Sequence, residues 1–157
     1  KIFAVFKFCT CMVYESLSAV ELTGCPSLPW TVQEFQTPHD DCDGAKRGMN
    51  TVRIFNCGGT RVAHLGDLGC FPDEELEAAL EGVDCMLIPV GGYYTIGCQT
   101  AYQIIREVHP LVAIPMHYRT DKTGFDEISH IDDFMKLWGK DSCVFPLEAG
   151  NHMHIHK

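Results

Sequence analysis

No stretch of this chain approaches the ~20 consecutive apolar residues that a membrane-spanning helix requires. The nearest run, "KIFAVFKFCTCMV" at the start, is broken by Lys7 and has no clean small-residue cleavage site behind it, so it reads as a buried strand rather than a leader. Basic residues are scarce as well. Twelve Lys and Arg against 21 Asp and Glu leave a formal charge of -9, which excludes non-specific nucleic-acid binding, a function of basic surfaces. Repeats and low-complexity linkers are missing, and 157 residues suffice for one core but not two, so a single domain is expected. The nine cysteines lack the paired spacing of a zinc knuckle or disulfide framework; Cys9-Thr10-Cys11 is too tight for one. Several fall inside apolar runs, as reduced thiols of a cytoplasmic protein do. Histidine, finally, is absent before His39.

What is present is patterned. "TVQEFQ", Thr31 to Gln36, predicts a strand ending at Pro38-His39, and the polar "DDCDGAKRG" after it predicts a loop. Between Asn50 and Leu65, two β-rich runs flank "NCGG", a hairpin signal. "PDEELEAALEG" predicts a short helix with Pro72 at its first position, acids in its first turn and Gly82 as its stop. "VDCMLIPV" is a nearly continuous apolar run, expected as a strand covered on both faces. A helix follows from about Cys98 to Val108, stopped by His109-Pro110. "LVAIPMH" predicts another strand, and Ser129-x-x-Asp132 is expected to open a last helix through Trp138, closed by Gly139. "CVFPL" and "HMHIH" complete the chain as strands. Strands alternating with helices imply an α/β layered architecture, with chemistry at the strand ends.

Three residues share that placement. His39 follows the first of these strands, Asp67 follows the second strand of the hairpin, and His117 follows "LVAIPM". Imidazole and carboxylate are ligands for zinc and similar divalent ions. Asp67 also poses a problem by itself, because a carboxylate at the end of a buried strand is costly unless something compensates it. Glycines flank it in "HLGDLG", and more occur in "PVGG", where backbone and ligand can approach closely.

Taken in order, "TPHDDCDGAKRGMNTV", "VAHLGDLG", "VDCMLIPVGGYYTI" and "PLVAIPMHYRT" resemble the C-terminal half of the metallo-β-lactamase-fold hydrolases. The resemblance is to the branch of L-ascorbate-6-phosphate lactonase and many bacterial metal-dependent hydrolases. It covers roughly residues 31 to 120 and implies a partial αββα sandwich with a mixed sheet and flanking helices. By this resemblance His39 is a histidine of a first metal, Asp67 a carboxylate bridging two, and His117 a histidine of the second, all three catalytic. The cofactor implied is a divalent metal, zinc or manganese, as one or two ions. The reaction implied is hydrolysis of a small molecule, a lactone, ester or phosphodiester, by a metal-activated water.

The departures from that family are as informative. Its upstream His-x-His-x-Asp-His motif has no counterpart here, so only half the expected ligands are present. The single domain, residues 1 to 157, is expected to lack the N-terminal half of the fold, to be a degenerate relative, or to be completed by another chain. The alternative function is accordingly a non-catalytic module that binds metal weakly or works through homo-oligomer assembly. Tyr93 and Gly97 stand where relatives commonly carry histidine and aspartate. Asp40 is a candidate to orient His39 or to cap its turn, and Lys46, Arg47 and Tyr93 are candidate substrate contacts. His152, His154 and His156 would share a strand face able to hold a metal, although a frayed end binding metal adventitiously is the preferred reading there.

Overall fold

The computed structural model describes residues 31–138, together with two short strands at the ends of the chain. Those are β1 (Ala4–Val5) and β7 (His152–Met153), paired antiparallel. The expected strand over residues 1 to 13 is described only at β1; the Cys9-x-Cys11 pair, "CVFPL", His154 and His156 lie outside the described residues.

The main sheet is mixed. β2 (Thr31–Pro38), β3 (Met49–Cys57) and β4 (Thr60–His64) run antiparallel; β5 (Cys85–Pro89) and β6 (Val112–Met116) then add parallel, in the order β2-β3-β4-β5-β6. The hairpin between β3 and β4 turns on Gly58 and Gly59, both at positive φ, the conformation a two-residue hairpin loop demands. Parallel pairing needs crossovers, and two helices supply them: α1 (Glu74–Leu80) between β4 and β5, and α2 (Cys98–Val108) between β5 and β6. A third, α3 (Ile131–Lys136), follows β6.

Alternation along the strands decides what each face carries. Val52, Ile54, Ala63, Met86 and Ile88 form one core with Leu76 and Leu80 of α1, Ala101, Ile104 and Ile105 of α2, and Phe134 of α3. All three helices therefore pack on one side of the sheet. The opposite face carries a smaller cluster, Cys85, Leu87 and Ile114, flanked by Val62, Val112 and Met116. Every residue of β5 is buried, as the continuous apolar run requires.

Two helix starts differ from the sequence expectation. The N-cap of α1 is Asp73, whose carboxylate accepts from the Leu76 N–H at 2.9 Å; Pro72 precedes the cap, because a side-chain acceptor satisfies an open N–H that proline cannot. At α3 the cap is His130, not Ser129: its Nδ1 accepts the Asp132 N–H at 3.2 Å. α2 begins and ends where the pattern places it, and His109 terminates it in the left-handed conformation, at φ 52°.

Candidate metal centre

The site is built where β2, β4 and β6 end. His39 comes one residue after β2, Asp67 three residues after β4, and His117 directly after β6. The structure brings all three together. His39 Nε2 lies 3.7 Å from Asp67 Oδ2, and His117 Nε2 lies 3.1 Å from Asp67 Oδ1. Each imidazole thus addresses a different oxygen of one carboxylate. All three side chains keep partial access to solvent, 23% for His39, 44% for Asp67 and 33% for His117, so a ligand can reach them.

Their placement rests on the loops beneath. The Gly69 N–H donates to the Pro38 carbonyl at 3.0 Å, drawing the segment after Asp67 onto the backbone that carries His39. Any Cβ at Gly69 would collide with the His39–Asp40 peptide. A Cβ at Gly91 would likewise strike the His117 carbonyl. These glycines serve backbone against backbone, a different reason from the room for ions that the sequence suggests. Gly66, at φ +57°, faces Asn50. His117 itself adopts φ 53°, a left-handed conformation that costs a non-glycine residue about 1–3 kcal/mol and that concentrates at functional sites.

Asn50 is the residue sequence reasoning missed. Its Oδ1 accepts the Asp67 N–H at 2.9 Å, and its Nδ2 donates to the Leu65 carbonyl at 3.0 Å and to the Thr37 hydroxyl at 2.9 Å. One amide from β3 therefore ties the end of β2 to the turn bearing Asp67. Nothing in "MNTV" distinguishes it from an ordinary polar strand residue. His64, the last residue of β4, is hydrogen-bonded beside the same turn: the Gly66 N–H donates to its Nδ1 at 3.1 Å. Burial first, and His117 next, push its pKa down. Because Nδ1 accepts that bond, the proton of the neutral ring sits on Nε2.

The other candidates separate. Asp40 is buried and does not orient the His39 ring. Its Oδ1 accepts from the N–H groups of Cys42 (3.0 Å) and Gly44 (2.8 Å), and its Oδ2 from those of Lys46 (2.9 Å) and Arg47 (2.8 Å), so it organises the loop that follows His39. Burial pushes its pKa up, but the Arg47 N–H, the Cys42 thiol and the Cys42 and Lys46 N–H groups outweigh that and hold it far below the usual carboxylate range. Lys46 turns its ammonium to Asp41 at 3.4 Å, which raises its pKa. Arg47 lies instead over Tyr93 and Tyr94, its Cζ 5.8 and 5.2 Å from their ring centroids.

Two ligands on one zinc, each at about 2.0–2.2 Å and at a tetrahedral angle, stand about 3.4 Å apart. The two imidazole–carboxylate separations, 3.1 and 3.7 Å, bracket that spacing. Among the described residues, however, no group of three or more His, Cys, Asp or Glu side chains is arranged to hold a metal ion. The donors fit a divalent ion in chemistry and pairwise spacing, and fall short in number.

A model of the beta-lactamase superfamily domain matches residues 28–117. The UPF0173 metal-dependent hydrolase of Archaeoglobus fulgidus is 36% identical over 110 residues, which cover 70% of this chain and 48% of that protein. That of Pyrococcus furiosus is 32% identical over 151 residues, covering 91% of this chain and 65% of that protein. The chain spans about half the length of the curated relatives it matches first. Among solved structures, a metallo-beta-lactamase superfamily protein of Thermotoga maritima superposes with a TM-score of 0.63 at 28% identity, over 91% of this chain and 64% of that one. A metallo hydrolase of Ignicoccus hospitalis does so with a TM-score of 0.58 at 27% identity, over 80% and 54%. With the family model covering more than half of its length and the mixed sheet shared with these structures, this chain belongs to the metallo-β-lactamase superfamily.

Proposed function

We propose that the protein is a metal-dependent hydrolase of a lactone, ester or phosphodiester, and that His39, Asp67 and His117 are this chain's contribution to its metal centre. The observation that carries the reading is the division of one carboxylate between two imidazoles, Oδ2 toward His39 and Oδ1 toward His117. A divalent ion, zinc or manganese, would supply Lewis acidity and a water acidified to near neutral pH. His39 and His117 would hold the ion through Nε2 and Asp67 through its carboxylate. The Asn50 and Gly69 hydrogen bonds hold that geometry before any ligand arrives, as a catalytic site needs. Partial exposure of the three side chains leaves the approach open to a small-molecule substrate.

The shortage of ligands favours a second reading, in which these residues bind metal weakly until a second copy or another segment supplies the remaining donors. One experiment serves both: metal per chain by elemental analysis, with molecular mass in solution, after purification that avoids metal-affinity columns. About one or more ions per chain, lost in Asp67→Ala, together with cleavage of a chromogenic ester, a lactone or bis(p-nitrophenyl) phosphate, supports the hydrolase. Metal held only by a dimer supports completion across copies. Metal that survives Asp67→Ala removes His39, Asp67 and His117 from the centre.

A further inference from the structure

Beside the three candidate ligands stands a second feature to which they assign no role. Tyr93 is 62% exposed and Tyr94 37% exposed, with ring centroids 4.6 Å apart and edges to faces; Phe125, 45% exposed, lies 6.4 Å from Tyr94. Tyr93 adopts φ 58°, a conformation in which a bulky side chain is a genuine outlier. The guanidinium of Arg47 sits over both tyrosine rings. Among the described residues no carboxylate pairs with it and no oxygen accepts from it, although its own N–H is held by Asp40. Lys46, next to it, is by contrast engaged with Asp41. In a chain with nine more negative than positive charges, the planar, five-donor Arg47 guanidinium is thus without an acidic partner among the described residues.

The loops that carry Arg47 and the two tyrosines are tied by backbone contacts to the candidate metal centre. The Arg47 loop starts at His39 and is closed by the His39 N–H to Gly48 carbonyl bond at 3.0 Å. The tyrosine loop is tied to the Asp67 turn through the Ile96 N–H and the Leu68 carbonyl at 2.8 Å. Its first residue, Gly91, packs on the His117 carbonyl. The loops that carry the three candidate ligands therefore also set Arg47, Tyr93 and Tyr94.

We propose that Arg47, held over Tyr93 and Tyr94, is the specificity-determining subsite of the hydrolytic centre, binding an oxyanion of the substrate, phosphate or carboxylate, whose apolar or planar body rests on the tyrosine rings. This deepens the hydrolase reading and rests on it for the word substrate. The guanidinium carbon stands within 6 Å of both ring centroids, a cation–π arrangement that engages no N–H group, so the fork that both oxyanions accept with two parallel hydrogen bonds stays available. The exposed ring of Tyr93 then serves as a wall for the substrate body.

The test is a titration of the full chain with phenyl phosphate, benzoate and inorganic phosphate, followed by NMR or calorimetry in the presence of a chelator. Saturable binding of phenyl phosphate or benzoate is expected, the tighter of the two identifying the oxyanion. Arg47→Gln, which retains the N–H that Asp40 holds, is expected to weaken it at least about tenfold, as loss of a charge-assisted pair does. Arg47→Lys keeps the charge without the fork and is expected between the two. Tyr94→Leu is expected to narrow the preference for phenyl phosphate over inorganic phosphate. Wild-type affinity in Arg47→Gln or Arg47→Lys, or no saturable binding of any probe, overturns the proposal. Because the chelator keeps metal out, failure of the hydrolase reading leaves this titration unaffected, and failure here leaves the metal assay standing.

Discussion

Replacing Asn50 by alanine tests whether the Asp67 turn is held from β3. Three hydrogen bonds are lost at once, to Thr37, Leu65 and the Asp67 N–H. At about 1 kcal/mol net for each, the change removes about 3 kcal/mol, less where water replaces the amide and more where the buried Thr37 hydroxyl is left without a partner. In a chain of this size about 1 kcal/mol moves the melting temperature by about 2–4 °C, so a fall of about 6–12 °C is expected by calorimetry or circular dichroism. The functional consequence is separable: the Asp67 N–H is released, and metal affinity is expected to fall even at temperatures where the variant is folded. Asn50→Asp keeps the acceptor for Asp67 and loses both donors, so it should retain more metal than Asn50→Ala if anchoring of Asp67 is what matters, unless its added charge raises metal affinity directly. A melting temperature within ~2 °C of wild type, with unchanged metal binding, would refute the account, because three bonds at a half-buried site cannot all be worth nothing.

Gly69→Ala introduces a Cβ against the His39–Asp40 peptide, and because backbone rather than a flexible side chain must give way, a loss of about 1–3 kcal/mol is expected; a chemical denaturation curve measures it, and metal binding should weaken with it because His39 moves. Asp40 makes stability depend on pH. Its folded pKa is held below the unfolded value, so its contribution is fully present above about pH 4 and is lost as pH falls through the folded value. The difference in melting temperature between wild type and Asp40→Asn should therefore be largest at neutral pH and narrow below about pH 4; a difference that widens in acid would contradict the sign.

The sheet and most of its helices could be read from the chain, because each is written in a local period: alternation in the β3–β4 hairpin, a continuous apolar run in β5, an amphipathic stripe in α2. Helix caps were less legible, since His130 competes with Ser129 for the same task and only three-dimensional placement decides it. The convergence of His39, Asp67 and His117 was legible for a topological reason. In a sheet of this order the ends of β2, β4 and β6 can be predicted to share an edge, so chemistry-bearing residues at those ends are already a short list.

Asn50 and Arg47 were not legible in the same way, and the reason is general to both. Their roles depend on contacts across 17 residues, from Asn50 to Asp67, and across 46 and 47 residues, from Arg47 to Tyr93 and Tyr94, and no local pattern encodes a partner at that range. Lys46 and Arg47 make the point most sharply. Adjacent in sequence and alike in charge, they were one candidate pair, yet the loop that Asp40 winds turns one toward Asp41 and the other over the tyrosines. What separates a solvated lysine from a poised arginine is thus a set of four backbone N–H groups on a buried carboxylate. Asp40 contributes to the site by shaping the loop that carries Arg47, at a distance from the ring of its neighbour His39, and removing it should disturb anion binding at Arg47 more than the geometry of the imidazole.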